Sequence, residues 1–195
     1  MKTGRADSKR RYQMTARAEA AQSTADGILD AAIKLFTDEA FEDVTLDEVA
    51  RRAGVTKRTV LRRFEAKDRL FLAAMDHAVN EMVRQREKAP VGDVRAAVAN
   101  VVEHYECWGT NRLRLLSQED RIELVAEHVR AGRAYHCAWV EHTFAPQLTG
   151  LRGMARKRRV AALVAATDVY IWKLLRLDLA LSRAETERTL VEIIG

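Results

Sequence analysis

Apolar positions along this chain recur at intervals of three and four, with no alternating run long enough for a strand. From Ser23 to Asp38, Ile28, Ala31, Ala32, Leu35 and Phe36 share one face of a predicted helix. Ser23 or Thr24 can cap it. Two short helices are predicted next, over Leu46–Ala53 and Lys57–Phe64. Thr45 and Glu48 have the spacing of a capping box, and Val44 and Val49 stand at the hydrophobic staple positions. Gly54 supplies the left-handed residue that ends the first of them, and Thr56 caps the second. So tight a connection makes the pair a helix-turn-helix.

The remainder is helical by the same criterion. Phe71, Ala74, Met75, Ala78 and Met82 stripe a helix over Lys67–Lys88, broken by "KAPVGD". Asp93 can cap a helix carrying Val94, Val98, Val101, Tyr105 and Trp108, followed by a short segment near Arg112–Ser117. A helix over Asp120–Phe144 ends before Pro146, and a loop, "GLRGMARKRR", leads onward. Val160–Leu181 is apolar nearly all round, which predicts buried neighbours on more than one side, one face toward the chain's own core and one toward a partner chain. Ser182 and Glu185 repeat the capping-box spacing and open a last helix with Leu190, Val191 and Ile194. The fold class is therefore all-α: an N-terminal three-helix helix-turn-helix domain over residues 21–68, then a helical domain over residues 69–195. Residues 1–20, with Lys2, Arg5, Lys9, Arg10, Arg11 and Arg17, offer little to bury and are expected as a disordered basic arm.

Charge adds a direction. The formal net charge of +5 decides little alone. Between Arg51 and Lys67, however, stand seven basic residues and one acid, Glu65, while the first helix and its approach are acidic. Val60 and Phe64, four apart, turn one side of the third helix inward. Arg58, Thr59, Arg62 and Arg63 then share the other side. An ordinary helical hairpin with a solvated basic face is the bland alternative. Caps, staple, turn glycine and one-sided charge coinciding within twenty-one residues favour a helix that meets a polyanion.

This stretch resembles the DNA-binding domain of the TetR family of bacterial transcriptional regulators. The matching residues are Phe36 and Phe41; Thr45, Val49, Ala50, Ala53, Gly54 and Val55; Thr56, Thr59, Val60 and Phe64; and Lys67 with Leu70. The resemblance covers about residues 25 to 72. It departs at Leu61, where the family often has tyrosine, at Arg63, where it often has histidine, and at Arg58, where it often has a small residue. The resemblance implies a ligand-responsive homodimeric repressor on a pseudo-palindromic operator, with the C-terminal domain binding ligand and dimerising through its last two helices. In such a motif the second helix enters the major groove N-terminus first. Arg58 is the candidate base reader, since a guanidinium pairs with both acceptors of guanine, and Lys57 is the second. Thr45, Thr56, Thr59, Arg62, Arg63 and Lys67 are candidate phosphate contacts.

An effector pocket, also implied by the resemblance, has candidate walls in His104 and Trp108, in Tyr135, Trp139 and His142, and in Asp168 and Trp172. Taken singly, each of these residues also fits a structural role in the core. Asp168 stands out, because an unpaired buried carboxylate is costly. It can pair with a cation, cap a helix or receive a ligand. Cys107 and Cys137 are read as buried thiols. No secretory segment and no apolar run of membrane-spanning length is present, so a cytoplasmic protein is expected. No catalytic motif, phosphate-cradling loop or metal-ligand cluster appears, and neither cofactor nor metal is expected, only a small-molecule effector. A non-specific DNA-coating or architectural protein is the alternative function, and a helical enzyme the more remote one.

Overall fold

The computed structural model describes residues 3–195, with the side chains of residues 3–14, 17 and 18 outside the description. Every regular element among the described residues is helical. In chain order they are α1 (Thr3–Asp38), α2 (Leu46–Arg52), α3 (Lys57–Phe64), α4 (Lys67–Arg86), α5 (Val94–Leu116) and α6 (Glu123–Thr143). A 3-10 turn (Ala145–Leu148) leads to α7 (Gly153–Ala166), α8 (Val169–Lys173), a π turn (Leu174–Asp178) and α9 (Arg183–Ile194). Two compact units result, Met1–His77 and Ala78–Gly195. The division falls inside α4.

In the first unit, Ile28, Leu35 and Phe36 of α1 are buried with Val44, Val49, Ala50, Val60, Leu70 and Phe71. Phe36, Phe41 and Phe71 close the centre as an aromatic trio, with ring centroids 5.1 to 5.6 Å apart. The hinge between α2 and α3 forms as its residues dictate. Gly54 adopts φ +66°. The Val55 amide donates to the Ala50 carbonyl (2.9 Å) and the Gly54 amide to the Arg51 carbonyl (3.3 Å). These two bonds satisfy carbonyls that the end of α2 would otherwise orphan.

The helix expected from Ser23 begins at Thr3 instead. Ala, Arg, Gln and Glu dominate the segment before Ser23, with no proline, and their helix propensity suits the extension of α1. Met1, Lys2 and the side chains of Arg5, Lys9, Arg10, Arg11 and Arg17 lie outside the described residues.

The second unit is built around α5, which packs on α6, α8 and α9, while α7 packs on α6 and α9. The α5 helix absorbs the segment expected separately at Arg112–Ser117, because Leu115 and Leu116 continue its buried side. The continuous helix expected over Val160–Leu181 is interrupted. The Thr167 hydroxyl donates back to the Leu163 carbonyl (2.8 Å), α7 stops, and Asp168 caps α8 by accepting the Tyr170 amide (2.9 Å). Within the single chain, Val169, Trp172 and Leu175 of this stretch are buried and Tyr170, Leu174, Leu177 and Leu179 are exposed. Cys107 and Cys137 are free and exposed rather than buried. They occupy the solvent-facing sides of α5 and α6, which their apolar character alone did not predict.

A Cβ at Gly54 would meet nothing within 4 Å, so its requirement is purely conformational. Gly54→Ala is expected to cost about 1–2 kcal/mol of unfolding free energy, and Gly54→Asn less, since Asn tolerates the left-handed region. Urea denaturation of the three proteins checks this; equal stabilities would contradict it.

Candidate nucleic-acid interface

Thr45 and Thr56 start the two helices of the hinge. The Thr45 hydroxyl oxygen accepts the Glu48 amide (3.2 Å), and that of Thr56 accepts the Thr59 amide (3.2 Å). A threonine capping in this way uses a lone pair and keeps its own O–H as a donor. At Thr45 that donor faces solvent. At Thr56 the hydroxyl also lies 3.0 Å from the Thr59 hydroxyl. The reciprocal half of the capping box is not made, because the Glu48 carboxylate turns to Arg51 (2.6 Å) and Arg52 (3.2 Å). Arg51 holds the Glu48 carboxyl below its ordinary pKa.

The charges of the unit thereby fall into two groups. Arg51 and Arg52 of α2 are compensated by Glu48, with Glu39 3.6 Å from Arg52. On α3, Arg58, Arg62 and Arg63 are exposed and have no ion-pair or hydrogen-bond partner among the described residues. Leu61, 38% exposed, is the apolar member of the same face. Lys57 reaches Asp47 (2.7 Å) across the hinge. Both groups are solvated, and such a pair is worth well under about 1 kcal/mol, so it yields readily to a stronger anion. Val60 is fully buried and Phe64 half-buried on the opposite side. The helix thus keeps one apolar edge inward and presents uncompensated guanidinium groups outward.

Lys67 is used differently. Its ammonium donates to the carbonyls of Phe41 (2.8 Å), Val44 (3.1 Å) and Glu42 (3.2 Å) and lies 4.6 Å above the Phe41 ring. An ammonium has three N–H donors, and all are spent on one loop. Lys67 therefore ties α4 to the α1–α2 connection and has no donor left for a phosphate.

The candidate effector residues separate as well. Trp139 and Trp172 are buried, His104, Tyr135 and Asp168 are half-buried, and Trp108 and His142 are exposed. Trp172 donates to Glu106 (2.9 Å) and sits where a Cβ on Gly109 would stand, so α5 and α8 approach only because residue 109 lacks a side chain. A shallow groove lined by Gly92, Val94, Gln147, Val191 and Ile194 touches none of the seven.

What gathers beside Trp139 was not singled out in the sequence. Arg86, at the end of α4, lies between the Trp139 ring (4.7 Å) and the Tyr105 ring (5.3 Å). Its own carbonyl accepts the Trp139 indole N–H (3.2 Å). His136 contacts the Thr167 hydroxyl (3.2 Å), and Tyr105 donates to the Thr167 carbonyl (3.0 Å). Burial, and then the Arg86 and Arg112 charges, push His104 down to about 3; burial and Arg86 push His136 down to about 4. The available signal was positional: Arg86 continues the stripe of Met75 and Met82 where an apolar residue is due.

Residues 28–74 match the family model described as "Bacterial regulatory proteins, tetR family". Among curated proteins, SrpR of Pseudomonas putida, an HTH-type transcriptional regulator, is 38% identical over 55 residues, which cover 28% of this chain and 26% of that protein. TtgW, an uncharacterized HTH-type transcriptional regulator of the same species, is also 38% identical over 55 residues, covering 28% of this chain and 41% of that one. The chain thus spans less than half the length of these two relatives. A transcriptional regulator from Rhodococcus sp. Rha1 shares the fold with a TM-score of 0.68 and 19% identity, over 88% of this chain and 94% of that one. AibR, in complex with isovaleryl coenzyme A and operator DNA, superimposes with a TM-score of 0.64 at 18% identity, over 88% and 97% of the two chains.

Hinge, caps and outward basic helix define a helix-turn-helix protein of the DNA-binding class. Over residues 28–74 the chain is similar to the tetR family of bacterial regulatory proteins, whose model spans the whole hinge and the start of α4.

Lys67→Met is expected to destabilise the protein by about 1.5–3 kcal/mol, since three carbonyls lose a charged donor. Arg62→Ala and Arg63→Ala should stay within about 0.5 kcal/mol of the parent. Chemical denaturation of the three variants checks the division between clamp and surface. Histidine linkage gives a second expectation. The unfolded chain binds protons at His104 and His136 near the ordinary value of 6.5, the folded chain only near 3 and 4. Stability is therefore present above about pH 6.5 and lost as pH falls toward 4. Melting temperature measured across that window should fall, and fall less in a His104→Gln, His136→Gln double variant.

Proposed function

We propose that this protein is a homodimeric, effector-responsive transcriptional regulator, acting in the cytoplasm as a repressor on a pseudo-palindromic operator. The observation that carries the reading is the exposed face of α3, where Arg58, Arg62 and Arg63 stand without partners among the described residues. Uncompensated guanidinium groups on a short rigid helix suit the major groove, where a guanine offers two acceptors to one fork. Arg58, in the first turn, is the base reader. Arg62, Arg63 and the Thr45, Thr56 and Thr59 hydroxyls hold phosphates, with Lys57 released from Asp47 to join them. Lys67 positions the head and touches no DNA.

One head contacts too few base pairs to be specific, and two-fold pairing doubles the contacts. Tyr170, Leu174, Leu177 and Leu179, with Ile193 of α9, form the apolar surface that suits pairing of the last two helical segments between copies. The AibR complex, which holds both a small ligand and operator DNA on the same fold, supports an effector-responsive reading here. The α4 helix carries residues of both units, Lys67 in one and Arg86 in the other. An effector that shifts α4 would alter the spacing of two paired heads.

Selection of bound fragments from random DNA is expected to recover an inverted repeat. On it, Arg58→Ala should cost about 1–3 kcal/mol and relax the preference at one position per half-site. Equal weakening on every duplex would make Arg58 a phosphate contact. Leu174→Glu with Leu177→Glu should yield monomers in analytical ultracentrifugation, and an unchanged dimer would move the pairing surface elsewhere.

A further inference from the structure

The effector-responsive reading does not say what the effector is, and the charge balance of the second unit bears on that. Arg86 is only 4% exposed. Its Nε and Nη1 are buried without any hydrogen-bond partner. A guanidinium cannot shed its charge as a buried lysine can, because its pKa lies too high. The Trp139 and Tyr105 rings cover its faces and offset part of the desolvation, yet cation–π contact leaves Nε and Nη1 unsatisfied.

The nearby acids are already committed. Asp168 caps α8. Glu106 is bound by Arg176 (2.7 Å) and Trp172 (2.9 Å). Glu119 is bound by Arg133 (2.6 Å). Among the described residues, no carboxylate pairs with Arg86. A second guanidinium, Arg112, lies in the same electrostatic neighbourhood, against the bare Cα of Gly132, and His104 and His136 stand by uncharged. The Asp168 carboxylate acts on Arg112, whereas Arg86 is left with no carboxylate partner among the described residues.

We infer that the Arg86 guanidinium anchors the carboxylate of a small organic acid, whose apolar body lies against Tyr105 and Trp139, and that this acid is the effector. This rests on the effector-responsive reading above. A single negative charge matches the site better than a polyphosphate does, since both histidines are neutral and the surrounding walls are aromatic. Entry of the acid parts the two rings that flank the guanidinium, so Trp139 reports on it.

The test uses the full chain with acetate, benzoate and octanoate, each beside its primary amide at matched ionic strength. Thermal unfolding and tryptophan fluorescence are followed. At least one acid is expected to raise the melting temperature by about 3 °C or more and to alter the fluorescence, while its amide does neither. Arg86→Met should melt at or above the parent temperature, because it removes an unpaired buried charge, and should lose the response. Arg86→Lys should retain part of it. No acid surpassing its amide, an undiminished response in Arg86→Met, or an Arg86→Met protein melting well below the parent would each overturn the site. The same acid should lower affinity for the selected DNA at least tenfold; unchanged affinity would overturn its role as effector. Acid binding is read without DNA, so failure to select an operator would count against the regulator reading and leave the anion site standing.

Discussion

An isolated helix of eight residues carrying four cations does not hold together in water, and the rest of the first unit exists to hold α3. Its stability comes from Val60 against the α1–α2 core, from the Thr56 cap, and from the Gly54 turn that fixes its departure angle from α2. Lys67 adds a clamp from the following helix. Each device lies on the inner side or at an end of α3, so the outer face stays free of structural duty.

That freedom is also electrostatic. Arginines are abundant on both hinge helices, but Glu48 compensates those of α2, while nothing among the described residues compensates those of α3. A uniformly basic surface would attract any polyanion. A neutralised supporting helix beside an uncompensated reading helix concentrates the attraction where base edges can be reached. In the second unit, Arg86 pairs with no carboxylate among the described residues and is held in aromatic surroundings instead of solvent. One uncompensated set of charges faces outward for a large polyanion, and one faces inward for a small anion.

Much of the hinge was legible in the sequence because its signals are local. Caps, staple and turn glycine act within a few residues of themselves, so Thr45, Gly54, Thr56 and the span Lys57–Phe64 read directly. What failed to read depended on partners far along the chain. Lys67 belongs to a basic run, and only the fold brings the Phe41, Glu42 and Val44 carbonyls to its ammonium. Trp108 and Trp139 look alike on a helical wheel, yet one is exposed and the other buried, because the packing of α5 and α6 fixes which side of each helix is inside. Arg86 was hidden by its type, since an arginine at the end of a helix ordinarily meets solvent. The break at Asp168 was obscured by the apolar run around it, although its capping role was among those the residue type allowed.

The central claim is that the unpartnered arginines of α3 confer sequence-specific DNA recognition. Its most direct measurement is an equilibrium titration of the purified protein, at fixed moderate salt, with a selected inverted repeat and with a scrambled duplex of the same composition. The account predicts a preference for the repeat of about 10³ or more. Indistinguishable affinities for the two duplexes would contradict it.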